Sequence, residues 1–267
     1  MQKKLICNRF FIIDMKENKR SLLFIILGSF FIANAILAEF IGVKIFSLES
    51  SLGMNKANWN ILGYSLSFNM TVGVILWPLV FIMTDIINEY YGKRGVKLLS
   101  YLAAILISYA FLIIYVGIKL PPADFWINRE TDFGNLNMQV AFEQIFGQGL
   151  WIIIGSLVAF LIGQVTDVVV FQYLKKKTGE KKLWLRATGS TLVSQLIDSF
   201  VVLFIAFYIG AGWDIKLVLG IGLVNYIYKL TVALALTPLL YFMHRMIDNY
   251  LGKELSETMM REAHDPN

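Results

Sequence analysis

Long apolar runs separated by short charged segments dominate the chain. Six stretches are long enough to cross about 30 Å of hydrocarbon, which takes about 20 helical residues: 22–46, 64–91, 95–118, 149–174, 189–210 and 216–243. The pattern predicts an all-α polytopic membrane protein, a bundle of six transmembrane helices. Residues 119–148 form the one sizeable connection, and Pro121, Pro122, Asp124, Trp126, Glu130 and Asp132 mark it as polar and turn-rich. The chain then divides into an N-terminal segment 1–21, a transmembrane domain 22–243 and a tail 244–267, with no apolar run left over for a further domain.

Composition agrees. Of 267 residues 57% are hydrophobic and 16% are charged, against about 25% charged in an ordinary soluble domain. Aromatics make up 14% of the chain, which suits lipid-facing surfaces and interfacial belts. The positions of Lys and Arg set the orientation. Lys3, Lys4, Arg9, Lys16, Lys19 and Arg20 precede the first helix, and Lys93, Arg94 and Lys97 follow the second. Lys175, Lys176, Lys177, Lys181, Lys182 and Arg186 follow the fourth, and Arg245, Lys253 and Arg261 follow the sixth. The opposite side carries only Lys44, Lys56, Lys119, Arg129 and Lys216, so the positive-inside rule places both termini in the cytoplasm. The net charge of +5 follows from these loops, and it reads as topology rather than a nucleic-acid face. The lysines and apolar patch before Ile13 lack a small-residue cleavage site; Met15, followed by Lys16-Glu17-Asn18-Lys19-Arg20, is an alternative start to Met1.

Chemistry-bearing motifs are few. Cys7 is alone and forms no intramolecular disulfide. His244 and His264 lie at or beyond the end of the last apolar run, so no metal site is expected. There is no Gly-rich phosphate loop, no H-E-x-x-H and no Ser-centred nucleophile elbow. These absences predict neither an enzyme nor a cofactor, and an ATP-driven motor would have to be another polypeptide.

What stands out is polarity inside the helices. A charge near a helix centre costs about 2.5–3.5 kcal/mol on insertion scales and needs a partner or a wet cavity. The first helix holds Asn34 and Glu39, and the second holds Asp85, Asn88 and Glu89 on one face. Gln164 and Asp167 lie in the fourth, Gln195 and Asp198 in the fifth, and Asn225 and Lys229 in the sixth. Asp198 is about 18 Å of helix in from Arg186 and Lys229 about 20 Å in from Lys216. A Lys229–Asp198 pair at mid-bilayer is therefore within reach, either as a structural ion pair or as part of a site. Gln164 and Gln195 suit interhelical hydrogen bonding as well as ligand binding. Glu89 reads as an interfacial group paired with Lys93 and snorkelling to water. Asp85 and Asp167 share one depth, each beside a Thr and eight residues before a lysine, and the sequence shows no fixed cation there. Pro78 and Pro238 fall inside the second and sixth stretches, where they would kink helices. So many ionisable groups point to a water-accessible, ligand-binding centre.

Three segments carry a resemblance. They are Pro78-Leu-Val-Phe-Ile-Met-Thr-Asp85-Ile-Ile-Asn88-Glu89-Tyr-Tyr-Gly92-Lys93-Arg94, Ser156-Leu-Val-Ala-Phe-Leu-Ile-Gly-Gln164-Val-Thr-Asp167, and Leu183-Trp184-Leu-Arg186-Ala-Thr-Gly-Ser190-Thr191-Leu-Val-Ser194-Gln195-Leu-Ile-Asp198-Ser199. Together they resemble the queuosine precursor transporter family, also grouped as vitamin uptake transporters. The resemblance implies a multi-pass importer in a bacterial inner membrane. Its cargo would be 7-cyano-7-deazaguanine, 7-aminomethyl-7-deazaguanine or queuine, taken up for tRNA modification. A proton or cation is the implied coupling partner of such secondary transport, and a homodimer is an open arrangement. The candidate substrate residues fit that chemistry: the carboxylates accept adjacent N–H groups of a guanine-like edge, and the amides read its carbonyl. The alternative is the substrate-binding membrane subunit of an ATP-driven vitamin importer that needs separate ATPase subunits.

Overall fold

The computed structural model describes residues 2–132, 134–147, 149–178 and 183–263. Met1, Lys181, Lys182 and His264, on which parts of the sequence reading rest, lie outside them. So do the side chains of Lys3, Lys4, Cys7, Arg9 and Trp184. Among the described residues five stretches are long and apolar enough to cross a membrane: Lys16–Ile41, Val72–Lys119, Met138–Thr178, Leu185–Ile209 and Ile215–Ala235. The protein is an all-α polytopic membrane protein, and the described residues of its loops form three two-stranded ribbons.

Helix α1 (Gln2–Ile41) serves as a ruler for its neighbours. Trp77–Lys119 is two helices joined without a loop and broken at Gly92, where φ is 66° and ψ is −171°. We number its halves α3a (77–91) and α3b (93–119), after the single-turn α2 (Leu48–Ser51). Gly73, just before α3a, packs on the Ala38 carbonyl at the far end of α1. Tyr91 donates to the Arg20 carbonyl (2.7 Å) at the near end. Leu99 then meets Gly28, and Phe111 stacks edge-on against Phe40 (5.6 Å). The chain thus comes in along α1 and goes back out, and the entire reversal rests on one residue. Backbone of this kind is essentially restricted to glycine. A Cβ at Gly92 would also collide with the Ala263 carbonyl at the end of the last helix. Gly92→Ala should therefore lower the thermal midpoint of the detergent-solubilised protein, with strain of about 1–3 kcal/mol.

Helices α6 (Leu150–Thr178) and α7 (Leu183–Leu203) form a second antiparallel hairpin. Its register runs from Leu174 beside Gly189, through Asp167 beside Ser194, to Gly155 against the Val202 carbonyl. Small residues at these contacts let the two backbones approach closely. α7 passes into a π-helical turn at Phe204–Ile209. α3a lies parallel to α6, with Trp77 against Phe160 and Thr84 against Gln164. Helix α8 (Ile215–Ala235) packs on α7. Amphipathic α9 (Thr237–Leu251) and α10 (Lys253–Glu262) then close the end that carries both termini. There Lys16 pairs with Glu254 (2.9 Å) and Arg20 with Glu262 (2.8 Å).

Several expected boundaries move. The first helix ends at Ile41, because Ile45–Ser47 pairs with Asn69–Thr71 as a ribbon. The second begins at Trp77 rather than 64, since Trp59–Ile61 and Tyr64–Leu66 form a hairpin and Val72–Ile75 a 3₁₀ turn. The sixth stops at Ala235. Pro78 and Pro238 consequently sit in the first turns of α3a and α9 rather than inside helices. That is where a residue without an N–H is accommodated at no loss. In the long connection, the single-turn α4 (Asp124–Ile127) leads into a ribbon in which Asn128–Thr131 pairs with Gly134–Asn137, and α5 (Met138–Phe146) follows. Glu49 pins the first connection. Burial works to raise its pKa, but the Phe68 and Ala57 N–H groups and the Ser47 hydroxyl outweigh that effect and hold it below its ordinary value.

Candidate functional site

Two cavities lie in series along the bundle. The larger, about 670 Å³, reaches from residues 65–69 and from Gly147 and Gly149 down between α1, α6, α7 and α8. That size is typical of ligand pockets, which hold about 300–1,000 Å³. Glu39, Ser156, Asp198, Asn225 and Lys229 line it, together with Trp77. The smaller, about 40 Å³, lies deeper, between α3a, α7, α8 and the start of α9. Its walls include Trp77, Phe81, Asp85, Thr191, Gln195 and Lys229. At that volume it accommodates a few waters at most. Trp77 and Lys229 belong to both cavities, and Lys229 donates to Asp198 Oδ2 at 2.5 Å. An ion pair and an indole therefore form the partition. Glu39 accepts a very short hydrogen bond from Ser156, tying α1 to α6 at the wall of the larger cavity.

Behind the small cavity lies a layer of polar side chains packed out of reach of solvent. Thr84 donates to Gln164 Oε1 (2.9 Å), Ser194 donates to Asp167 Oδ1 (3.1 Å), and Gln172 approaches Asn88 Oδ1 (3.4 Å). Several atoms in and beside this layer have no protein partner: Asp85 Oδ1, Asn88 Nδ2, Gln164 Nε2, Asp167 Oδ2, and both amide atoms of Gln195. Each such buried atom costs about 1–3 kcal/mol if left unsatisfied. Six such atoms lie together on three adjoining helices, α3a, α6 and α7.

Toward the termini the path is sealed. Glu89 Oε1 accepts from Lys175 (2.8 Å) and from Arg186 (3.1 Å), and the Arg186 guanidinium also lies over the Phe171 ring. Arg186 is 1% exposed and Glu89 2% exposed. The reading of Glu89 as an interfacial group paired with Lys93 is thus wrong. The α3a–α6–α7 packing surrounds it, and its cations come from the other two helices. The next residue, Tyr90, donates to Asp248 (2.7 Å) and lies 2.9 Å from His244 Nδ1, while Ser256 also donates to Asp248 (2.5 Å).

The structure groups the ten sequence candidates unevenly. Glu39, Asn225, Asp198 and Lys229 face the larger cavity, and Asp85, Gln195 and Lys229 face the smaller. Asn88, Gln164 and Asp167 stand in the buried layer behind. Asn34 lines neither cavity, since it donates to the Phe30 carbonyl of its own helix (2.8 Å). Sequence reasoning missed Arg186, Lys175, Thr84, Ser156 and Ser194. Arg186 had been counted with the loop cations because its helix was expected to start at 189. The available signal was the unbroken apolar and small-residue run from Leu183 onward.

Apolar helices wrapped around two cavities in series, with buried ion pairs between and below them, define a polytopic helical membrane protein. A family model described as "Putative vitamin uptake transporter" matches residues 71–243, and the chain belongs to that family. Among curated proteins it is 32% identical over 184 residues to a "Probable queuosine precursor transporter" of Bacillus subtilis, covering 67% of this chain and 73% of that one. It is 28% identical over 203 residues to the "Queuosine precursor transporter" of Escherichia coli, covering 72% and 79%. A "Probable queuosine precursor transporter" of Haemophilus influenzae is 25% identical over 179 residues, covering 64% and 66%. No solved structure matches the chain.

Proposed function

We propose that this protein is a stand-alone importer of queuosine precursors (7-cyano-7-deazaguanine, 7-aminomethyl-7-deazaguanine or queuine) across a bacterial inner membrane, with both termini cytoplasmic. The observation that carries the reading is that Asp85 and Gln195, which line the small cavity, carry buried hydrogen-bonding atoms with no protein partner. A guanine-like edge presents adjacent N–H donors and a carbonyl. Asp85 accepts the first, the Gln195 amide reads the second, and Trp77 and Phe81 offer ring faces for stacking. The family membership and the names of the three relatives support the same cargo.

The size difference between the cavities suggests a sequence of events. The base enters the larger cavity, which faces away from the termini, and meets the Lys229–Asp198 partition. The small cavity must widen to receive it, so recognition and opening are one step. Release toward the cytoplasm then requires the Glu89–Arg186–Lys175 seal to part.

Proteoliposomes containing only this protein and labelled 7-cyano-7-deazaguanine test the proposal. Saturable uptake is expected, competed by the aminomethyl base and by queuine. Background-level uptake that is restored only by added ATPase subunits would overturn it.

A further inference from the structure

Asp85 and Asp167 come from adjoining parallel helices, are 4% and 0% exposed, and each keeps one carboxyl oxygen without a protein partner. The Ser190 hydroxyl of α7 lies against both carboxyls, and Ser194 donates to the other oxygen of Asp167. The charged groups around the pair are Glu89 on α3a, Lys175 on α6, Arg186 on α7 and Lys229 on α8. Lys175 and Arg186 both bond to Glu89, and Lys229 to Asp198. The ion pairs among these described residues thus go to Glu89 and Asp198, while the two buried aspartates lie side by side on adjoining helices.

Two carboxylates sharing a buried site cannot both ionise without a compensating charge. The neighbouring unpartnered atoms say which charge fits. Asn88 Nδ2 and Gln164 Nε2 are N–H donors, whereas a hard metal ion takes oxygen ligands. One proton removes the repulsion and turns one unpartnered carboxyl oxygen into a donor.

We propose that the Asp85–Asp167 pair holds one exchangeable proton and is the coupling site of transport. The two carboxyls divide the work. Asp85 lines the small cavity and Asp167 does not, so a base that engages the Asp85 carboxylate confines the proton to Asp167. Cargo and proton then occupy adjoining places and leave together when the seal opens. The inference rests on the transport reading for its cargo but not for its proton.

Infrared spectroscopy of the substrate-free protein at neutral pH tests the proton directly. A protonated-carboxyl C=O band is expected, part of which shifts in Asp85→Glu and in Asp167→Glu. Its absence from the wild-type protein overturns the proposal whether or not either variant folds. In proteoliposomes, a gradient of about one pH unit, acidic on the entry side, should support about tenfold accumulation of labelled 7-cyano-7-deazaguanine. Asp167→Asn should still quench Trp77 fluorescence on binding the base but show no response to the gradient. A gradient response that survives in Asp167→Asn, or uptake driven by a sodium gradient alone, overturns the assignment. If the band is present but no deazaguanine enters, the cargo is wrong and the proton site stands.

Discussion

Asp85→Asn is expected to reduce uptake of 7-cyano-7-deazaguanine by about 10²–10³-fold, while the protein inserts in normal amount. The carboxylate is the one acceptor-only group facing the small cavity, and hydrogen bonds to a charged group contribute about 1.5–3 kcal/mol each. An amide in its place aims an N–H at one of the two N–H groups of the base, so a favourable contact becomes a buried clash of donors. Insertion gains from the change, because a charged side chain leaves the bilayer interior. Initial uptake rates normalised to protein in the membrane would decide the matter; wild-type transport would remove Asp85 from the site.

The second large effect falls on stability. Glu89→Gln leaves the fully buried Arg186 without its carboxylate and should cost about 3–5 kcal/mol, as removing one partner of a buried ion pair does. The detergent-solubilised variant should unfold at markedly lower temperature. Replacing both partners with apolar groups of similar size, Glu89→Leu with Arg186→Met, should recover most of that loss, since no uncompensated charge is left behind. Lys175 can then turn its ammonium toward the membrane surface, being 11% exposed already. A double variant no more stable than the single would show that the charges themselves hold the seal.

The architecture was legible in sequence wherever it depended on length and periodicity. The apolar runs located the membrane-crossing helices, although five such stretches rather than six emerge among the described residues, and counting in from the nearest loop charges put Asp198 within reach of Lys229. The parallel depth of Asp85 and Asp167 was readable from the repeated Thr-Asp spacing. What failed was anything that depended on a neighbour in space. Glu89 looked interfacial because Lys93 is close in sequence, yet its cations are Lys175 and Arg186, on other helices. Asn34 was placed by depth alone, and depth does not show that its amide donates to the carbonyl one turn back in its own helix. Helix ends were misplaced where apolar residues belong to ribbons: Tyr64–Leu66 is as apolar as a helix start, and only pairing with Trp59–Ile61 shows otherwise.

The one-residue reversal at Gly92 bears on how the protein reaches the membrane at all. α3a carries Asp85, Asn88 and Glu89 within its 15 residues, too short and too polar a segment to partition into lipid by itself. Joined to α3b without a loop, it cannot be presented to the insertion machinery alone. The two must enter as a hairpin, with the apolar face of α3b (Ile105, Leu112 and Val116 among its lipid-facing residues) supplying the free energy that α3a lacks. The helix bearing the chemistry is thus a passenger of its neighbour during biogenesis, and lengthening the turn would uncouple the pair before the protein ever folds.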